Sequence, residues 1–210
     1  AVSAMDSVKA MLDTELGIKK IHPSIVDYPS KEDPLTNYNP GTGENGAVFC
    51  HANTWAIIAE CMLGRGENAY KYYRQLIPNV AMEKAGIWRY KAEPYVYASN
   101  IFGPESDKFG MANVSWLSGT AAWMYIAVTQ YILGIKATWE GLQINPCVPS
   151  DWKEFSIVRK FRETTYHIRF QNQSGENKGI RKLTVDGKEI SGNIIPYTKQ
   201  ETPVSVEVIL

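Results

Sequence analysis

The sequence predicts an α+β protein in which a helical region is followed by a small β-region. Two observations support this class: apolar residues recur at intervals of three and four before residue 136, and they alternate with polar residues after it. The first spacing is that of one face of a helix, and the second is that of one face of a strand. We therefore expect two domains, residues 1–135 and residues 136–210.

Four stretches of the first region are predicted to be helices. Each ends at a residue that disfavours helix, namely Gly17, Gly64, Pro78 or Gly134, and Gly134 occupies the left-handed capping position. The repeated apolar positions are Val2, Met5, Val8, Met11 and Leu12; Trp55, Ile58, Ala59, Met62 and Leu63; Tyr72, Leu76 and Ile77; and Trp123, Tyr125, Ile126, Ile132 and Leu133.

Five segments of the second region have a period of two and are predicted to be strands. They are GLQINP at 141–146, FSIVRKF at 155–161, TYHIRFQ at 165–171, KLTVDGKEI at 182–190 and VSVEVIL at 204–210. Asp186-Gly187 predicts a two-residue hairpin turn, since both central residues of such a turn adopt positive φ. Alternation places one face of each strand in a core, so we expect a β-sandwich.

The composition excludes several kinds of partner. Twenty-two basic residues balance twenty-two acidic ones without charged blocks, which leaves no electrostatic footprint for nucleic acid or an anionic membrane surface. The chain lacks an apolar run long enough to cross a bilayer, and it starts with an amphipathic segment unlike a signal peptide. Cys50, Cys61 and Cys147 form no CxxC pair, so we expect buried thiols in the cytoplasm.

Two connections are long for a compact domain, residues 20–48 and residues 100–120. Long loops of this kind usually line functional surfaces. Three polar, glycine-rich segments in or near them each run into a helix. They are NYNPGTGENGAVFCHANTW at 37–55, RYKAEPYVYASNIFG at 89–103 and SWLSGTAAWMY at 115–125.

The last of these segments has the chemistry of an anion site. Ser118-Gly119-Thr120 precedes an alanine-rich helix, where free backbone N–H groups, hydroxyls and the helix dipole favour negative charge. An N-cap role for Ser118 or Thr120 explains the same residues. His51 lies at another junction between a loop and a helix, where it caps, packs or pairs with the same anion.

Together these segments resemble glycoside hydrolase family 94, which contains the inverting phosphorylases of cellobiose, cellodextrin, laminaribiose and chitobiose. The resemblance is carried, over nearly the whole chain, by PGTGENGAVFCHANTWAIIAECMLGRG, YKAEPYVYAS, SWLSGTAAWMYIAVTQYILGI and GLQINPCVPSDWKEFSIVRKFRETTYHI. It implies that residues 1–135 are the last part of an (α/α)6 catalytic barrel and residues 136–210 a C-terminal β-sandwich domain. The remaining N-terminal part of the enzyme would precede them.

The resemblance also implies a glycosyltransferase activity. Inorganic phosphate attacks the anomeric carbon of a β-linked gluco-disaccharide or oligosaccharide while an aspartic acid protonates the leaving oxygen, and α-glucose 1-phosphate is released. Phosphate is a co-substrate, and no cofactor or metal is expected. The family's acid lies upstream, and Asp151-Trp152 has the wrong neighbours, so we expect no catalytic residue in this chain. The family is commonly homodimeric.

Seven residues match functional positions of the family. His51, Gly119 and Thr120 match phosphate-binding residues, whereas Tyr38, Glu44, Glu93 and Ser99 fall where sugar is bound. Two positions depart from cellobiose phosphorylases: Gly43 stands where these tend to have lysine, and Ser99 stands where they tend to have glutamine. The disaccharide is therefore left open.

Two other functions compete with the phosphorylase. A hydrolase or glucan-processing domain on the same barrel would use water and would need a basic carboxylate in place of His51 and Thr120. A non-catalytic carbohydrate-binding fragment would need exposed aromatic rings, and the predicted strands offer few beyond Tyr166 and Tyr197.

Overall fold

The computed structural model describes residues 1–27 and 37–210, which divide into two compact units. The first unit consists of Ala1–Ala59 and Lys71–Tyr125, and the second of Glu60–Tyr70 and Ile126–Leu210. Helices and strands are both present, so the predicted α+β class is confirmed. The (α/α)6 barrel and the domain boundary after residue 135 stay predictions. Pro29 and Pro34 of the first long connection lie outside the described residues.

Helices form at most of the predicted places. Pro78 follows α3 as expected, and it also begins α4, because the first turn of a helix does not use its N–H group. The helices are α1 (Val2–Ser7) with a π-helical continuation (Val8–Leu12), α2 (Cys50–Met62), α3 (Gly66–Leu76), α4 (Pro78–Ala85), α5 (Ile87–Tyr90), and α6 (Thr120–Ile126) with a π-helical continuation (Ala127–Ile132).

Two predictions for the helical region were wrong. The first helical stretch ends at Leu12 rather than at Gly17, because the chain turns back there in a two-stranded hairpin. The region is also not purely helical, since three short strands from distant segments form a sheet in the order β3-β4-β5. The strands are β1 (Asp13–Thr14), β2 (Gly17–Ile18), β3 (Val48–Phe49), β4 (Ala98–Ile101) and β5 (Ala112–Ser115).

The second unit contains two sheets. Their strands are β6 (Ile135–Ala137), β7 (Gly141–Ile144), β8 (Glu154–Phe161), β9 (Thr164–Gln171), β10 (Lys182–Val185), β11 (Lys188–Glu189), β12 (Ile194–Pro196) and β13 (Val204–Ile209). One sheet has the order β11-β10-β13-β9-β8 and the other the order β12-β7-β6. β13 runs parallel to β9, and both alternate between buried and exposed side chains as predicted. Asp186 and Gly187 have φ of 47° and 78°, which confirms the hairpin turn.

Each unit has its own core. The largest fully buried side chains of the first unit are Leu16, Ile57, Tyr72, Tyr90, Ile101 and Met124, and those of the second are Ile132, Leu142, Ile144, Tyr166, Ile168 and Phe170. Tyr166 therefore belongs to the core, and its expected exposure was wrong. The three cysteines are buried free thiols. Among the described helices, none is long and apolar enough to span a membrane.

Candidate anion and sugar site

His51 is the second residue of α2, directly after the short strand β3. Its ring contacts three aromatic rings, with centroid distances of 5.2 Å to Trp55, 6.1 Å to Phe49 and 6.2 Å to Trp123. Within the described ranges, the buried Nε2 atom of His51 has no hydrogen-bond partner. Buried polar atoms are nearly always paired, so this nitrogen is the clearest indication of a ligand site in the first unit.

Gly119 lies directly against the His51 ring. A methyl group at this position would lie 2.8 Å from Cε1 and 3.0 Å from Nδ1 of the imidazole, closer than non-bonded carbon atoms approach. The contact joins two segments that are far apart in the sequence. Gly119 therefore leaves room for the imidazole in its present orientation.

Thr120 follows as the first residue of α6 and is completely buried. Its hydroxyl group is hydrogen bonded to that of Ser118, and its backbone N–H donates to Ser118 Oγ at 3.0 Å. Ser118 thus has the capping role considered from the sequence. Each hydroxyl provides one donor and two acceptor positions, so the pair can still bind a further group.

Tyr38 and Glu44 belong to the loop that precedes β3. Glu44 is exposed and forms an ion pair with Lys20 at 2.6 Å. The ring of Tyr38 covers Gly43, where a methyl group would overlap ring atoms Cδ1 and Cε1. Gly43 also has φ of 47°, a conformation that glycine adopts without strain. A side chain at position 43 would therefore be strained and would have to displace the Tyr38 ring.

The fold of this loop depends on Asn45, which sequence analysis did not identify. Its side chain is fully buried; Oδ1 accepts the N–H of Ile25 at 2.8 Å, while Nδ2 donates to the carbonyl groups of Ile25 and Tyr38 at 2.8 Å and 3.0 Å. An asparagine followed by a glycine predicts a turn. It does not predict which backbone groups the amide will bind.

Glu93 is half-buried, and its Oε1 atom accepts a hydrogen bond of 3.1 Å from the indole N–H of Trp116. Hydrogen bonds from the backbone N–H of Glu93 and from Trp116 lower the pKa of the carboxyl group, which keeps it charged. Ser99 is half-buried in β4, whose register pairs Ala98 with Ser115 of β5. The second and third sequence segments therefore meet along one pair of strands.

The predicted phosphate-binding residues are thus brought together. The predicted sugar-binding residues lie in two other segments of the same unit, the loop before β3 and the 89–103 segment. His51 contacts Gly119, which precedes Thr120. Glu93 is linked to the 115–125 segment, whereas Glu44 is linked to Lys20. Asp151, excluded as the acid, is exposed in the second unit before β8. In the described part of the chain, no cluster of His, Cys, Asp or Glu could hold a metal ion.

Known proteins similar to this chain are mostly phosphorylases. Solabiose phosphorylase of Paenibacillus borealis is 36% identical over 99% of this chain, which spans 27% of that protein. N,N'-diacetylchitobiose phosphorylase of Vibrio proteolyticus is 41% identical over 93% of this chain, which spans 24% of it. Cyclic beta-(1,2)-glucan synthase NdvB of Rhizobium meliloti (strain 1021) is 34% identical over 86% of this chain, which spans 6% of it.

The chain thus spans about a quarter of the length of the two phosphorylases it matches. Residues 1–134 match the family model of the glycosyl hydrolase 94 superfamily catalytic domain. The matched part ends at the glycine that follows the last helical stretch and includes every candidate site residue. The chain therefore belongs to the glycosyl hydrolase 94 superfamily and carries a portion of its catalytic domain.

Proposed function

We propose that the complete protein is an inverting phosphorylase that cleaves a β-linked gluco-disaccharide or oligosaccharide with inorganic phosphate and releases α-glucose 1-phosphate. The observation that carries this proposal is the unpaired Nε2 atom of His51, next to Gly119 and the buried Thr120. A buried polar atom without a partner costs roughly 1–3 kcal/mol. A phosphate oxygen at this position would remove that cost.

In this proposal His51 and Thr120 hold the nucleophile. The imidazole donates from Nε2 to one phosphate oxygen, and the hydroxyl group of Thr120 binds another, so that phosphate faces the anomeric carbon. The two residues supply position and electrostatic stabilisation rather than proton transfer. The aspartic acid that protonates the leaving oxygen comes from a part of the enzyme outside this chain.

We further propose that Tyr38, Glu44, Glu93 and Ser99 contact the sugar. Glu44 keeps about half of its side chain exposed despite the ion pair with Lys20, so its carboxylate can accept hydrogen bonds from sugar hydroxyl groups. The phosphorylases named above differ in their disaccharide, and the substitutions at Gly43 and Ser99 are expected to affect this choice. Cytoplasmic location and homodimeric assembly stay predictions.

A glucan-processing enzyme is the second candidate, because one similar protein is named a cyclic glucan synthase. An inverting hydrolase would need a carboxylate that activates water near the anomeric carbon. The unpaired Nε2 atom of His51, next to Gly119 and the buried Thr120, instead fits an oxygen of phosphate. This observation favours the phosphorylase.

The test is an assay of the complete enzyme with cellobiose, laminaribiose, solabiose and N,N'-diacetylchitobiose, each with and without inorganic phosphate. We expect a sugar 1-phosphate to be released from at least one of them, only when phosphate is present. Release of free sugar at the same rate without phosphate would instead establish a hydrolase. Transfer of glucosyl units to another sugar without phosphate would establish the glucan-processing enzyme.

A further inference from the structure

Trp116 is an exposed tryptophan with a fixed orientation. Its side chain is 69% exposed, although tryptophan is normally largely buried. Its indole N–H nevertheless donates to Glu93 Oε1 at 3.1 Å. In the described residues, Glu93 takes part in no ion pair. The hydrogen bond from the indole is therefore one of the main interactions of this carboxylate. The hydrogen bond fixes one edge of the ring and leaves its faces open.

The backbone around Trp116 is strained. Trp116 has φ of 70°, and Val114, two residues earlier, has φ of 54°. Left-handed φ is unfavourable for a tryptophan and more so for a β-branched valine. Such conformations persist where the surrounding structure enforces them, and they are concentrated at ligand sites. This backbone conformation sets the direction in which the Trp116 side chain projects from the backbone.

Trp116 is also close in the chain to the proposed anion pocket of His51, Gly119 and Thr120. Gly119 is the third residue after Trp116, and an extended chain covers at most about 3.6 Å per residue. The Cα atoms of Trp116 and Gly119 are therefore no more than about 11 Å apart. A disaccharide whose anomeric carbon faces the anion pocket can span this distance.

We propose that Trp116 is a sugar-stacking platform next to the anion pocket, and that Glu93 is the positioning residue that holds its indole. An aromatic face matches the C–H face of a sugar ring, while the polar edge of the indole is already satisfied by the carboxylate. The proposal deepens the phosphorylase function and rests on it. It assigns Glu93 an indirect role, through the indole, besides any contact with sugar.

The experiment compares variants of the complete enzyme in steady-state kinetics with the disaccharide and phosphate varied separately. Trp116→Ala should raise the KM for disaccharide about tenfold or more, and leave the KM for phosphate within a factor of about two. Trp116→Phe, which keeps a ring, should lie between this variant and the wild type. Glu93→Gln should raise the disaccharide KM less than Trp116→Ala does, and in the Trp116→Ala background it should raise the KM by a smaller factor than in the wild type, because its role through the indole is then already lost. Trp139→Ala is the matched control, since Trp139 is 96% exposed in the second unit.

An unchanged disaccharide KM in a folded Trp116→Ala enzyme would overturn the proposal, and it would indicate that another part of the protein covers the indole.

Should Trp116→Ala fail to fold, the Trp116→Phe variant takes its place, and its tryptophan fluorescence is titrated with disaccharide. Disaccharide should change the tryptophan emission of the wild type and of Trp139→Phe but not that of Trp116→Phe; equal changes in all three would contradict the platform. A wild type without phosphate-dependent turnover would refute the phosphorylase function, and the fluorescence titration would still test the platform.

Discussion

Glu67 in the second unit and His51 in the first differ in how the fold satisfies their polar atoms. In the second unit, Glu67 accepts the backbone N–H of Ser150 at 3.0 Å and the side-chain amide of Asn177 at 2.9 Å, so its carboxylate is satisfied within the fold. In the first unit, Nε2 of His51 is buried without a partner, and Trp116 is exposed on a strained backbone. Departures from local rules of this kind are expected where a protein binds something. The comparison teaches that substitutions in the second unit should mainly affect stability, and those around His51 should mainly affect binding.

The largest effect is expected for Phe170→Ala in the second unit. Phe170 is fully buried in β9 and stacks on Phe155 with ring centroids 4.4 Å apart. Removing such a ring costs about 3–5 kcal/mol, which urea unfolding followed by circular dichroism would measure. Val158→Ala on the neighbouring β8 is the control, because Val158 is 65% exposed. Equal losses for both variants would contradict the assigned core.

Thr120→Ala tests whether substitutions around His51 mainly affect binding. Losing one buried hydrogen bond to a charged group costs about 1–3 kcal/mol, which corresponds to an increase of about 5- to 150-fold in the KM for phosphate. Steady-state kinetics with phosphate as the varied substrate would measure it, and Thr120→Ser should retain most of the affinity. Unchanged phosphate kinetics in Thr120→Ala would remove this residue from the site.

Gly187 of the second unit tests a conformational cost that is independent of ligand binding. Gly187 has φ of 78° and open space around it, so Gly187→Ala should lower the free energy of unfolding by about 1–2 kcal/mol through backbone strain alone. Gly187→Asn should cost less, because asparagine tolerates left-handed φ. Thermal unfolding of both variants would measure this. An altered KM for phosphate in either one would break the distinction between the units.

The smallest effect is expected for Glu67→Gln. Burial alone would raise the pKa of Glu67, but hydrogen bonds from Asn177 and Ser150 outweigh it and lower the pKa to about 2. Because the folded pKa lies below the usual 4.5, the stabilisation is complete above pH 4.5 and is lost as the pH falls towards 2. The side chain is exposed, so screening limits it to less than about 1 kcal/mol. The difference in melting temperature between wild type and Glu67→Gln should therefore shrink as the pH falls through this window; a constant difference would argue against the shift.

The five-stranded sheet of the second unit was predictable because its strands follow local rules, whereas β6 and β12 were not predicted. Alternating side chains in β9 and β13 and the Asp186-Gly187 turn are recognisable within a few residues. The strands β4 and β5 were missed, since four residues are too few to establish a period. The other partner of β4, β3, lies about 50 residues earlier in the chain. Pairing between distant short segments depends on the tertiary fold rather than on local sequence.

The site was predictable only where a motif pointed to it. The Ser118-Gly119-Thr120 segment indicates a helix start and an anion site, His51 was a candidate for the same anion at another junction between a loop and a helix, and the family resemblance favoured this role over capping or packing. Trp116 was not identified, because no local sequence pattern predicts left-handed φ for a tryptophan that follows a serine. The contact between Gly119 and His51 was equally invisible, since it joins segments 68 residues apart.

That contact has a consequence for how the family can vary. With the imidazole 2.8 Å from a methyl group placed at position 119, the two positions are not independent during evolution. A side chain at 119 would therefore require the imidazole of residue 51 to shift, and the proposed phosphate site would change with it. We expect glycine and histidine at these two positions to be retained together in homologues that keep this site, and an alignment in which they vary independently would contradict the coupling.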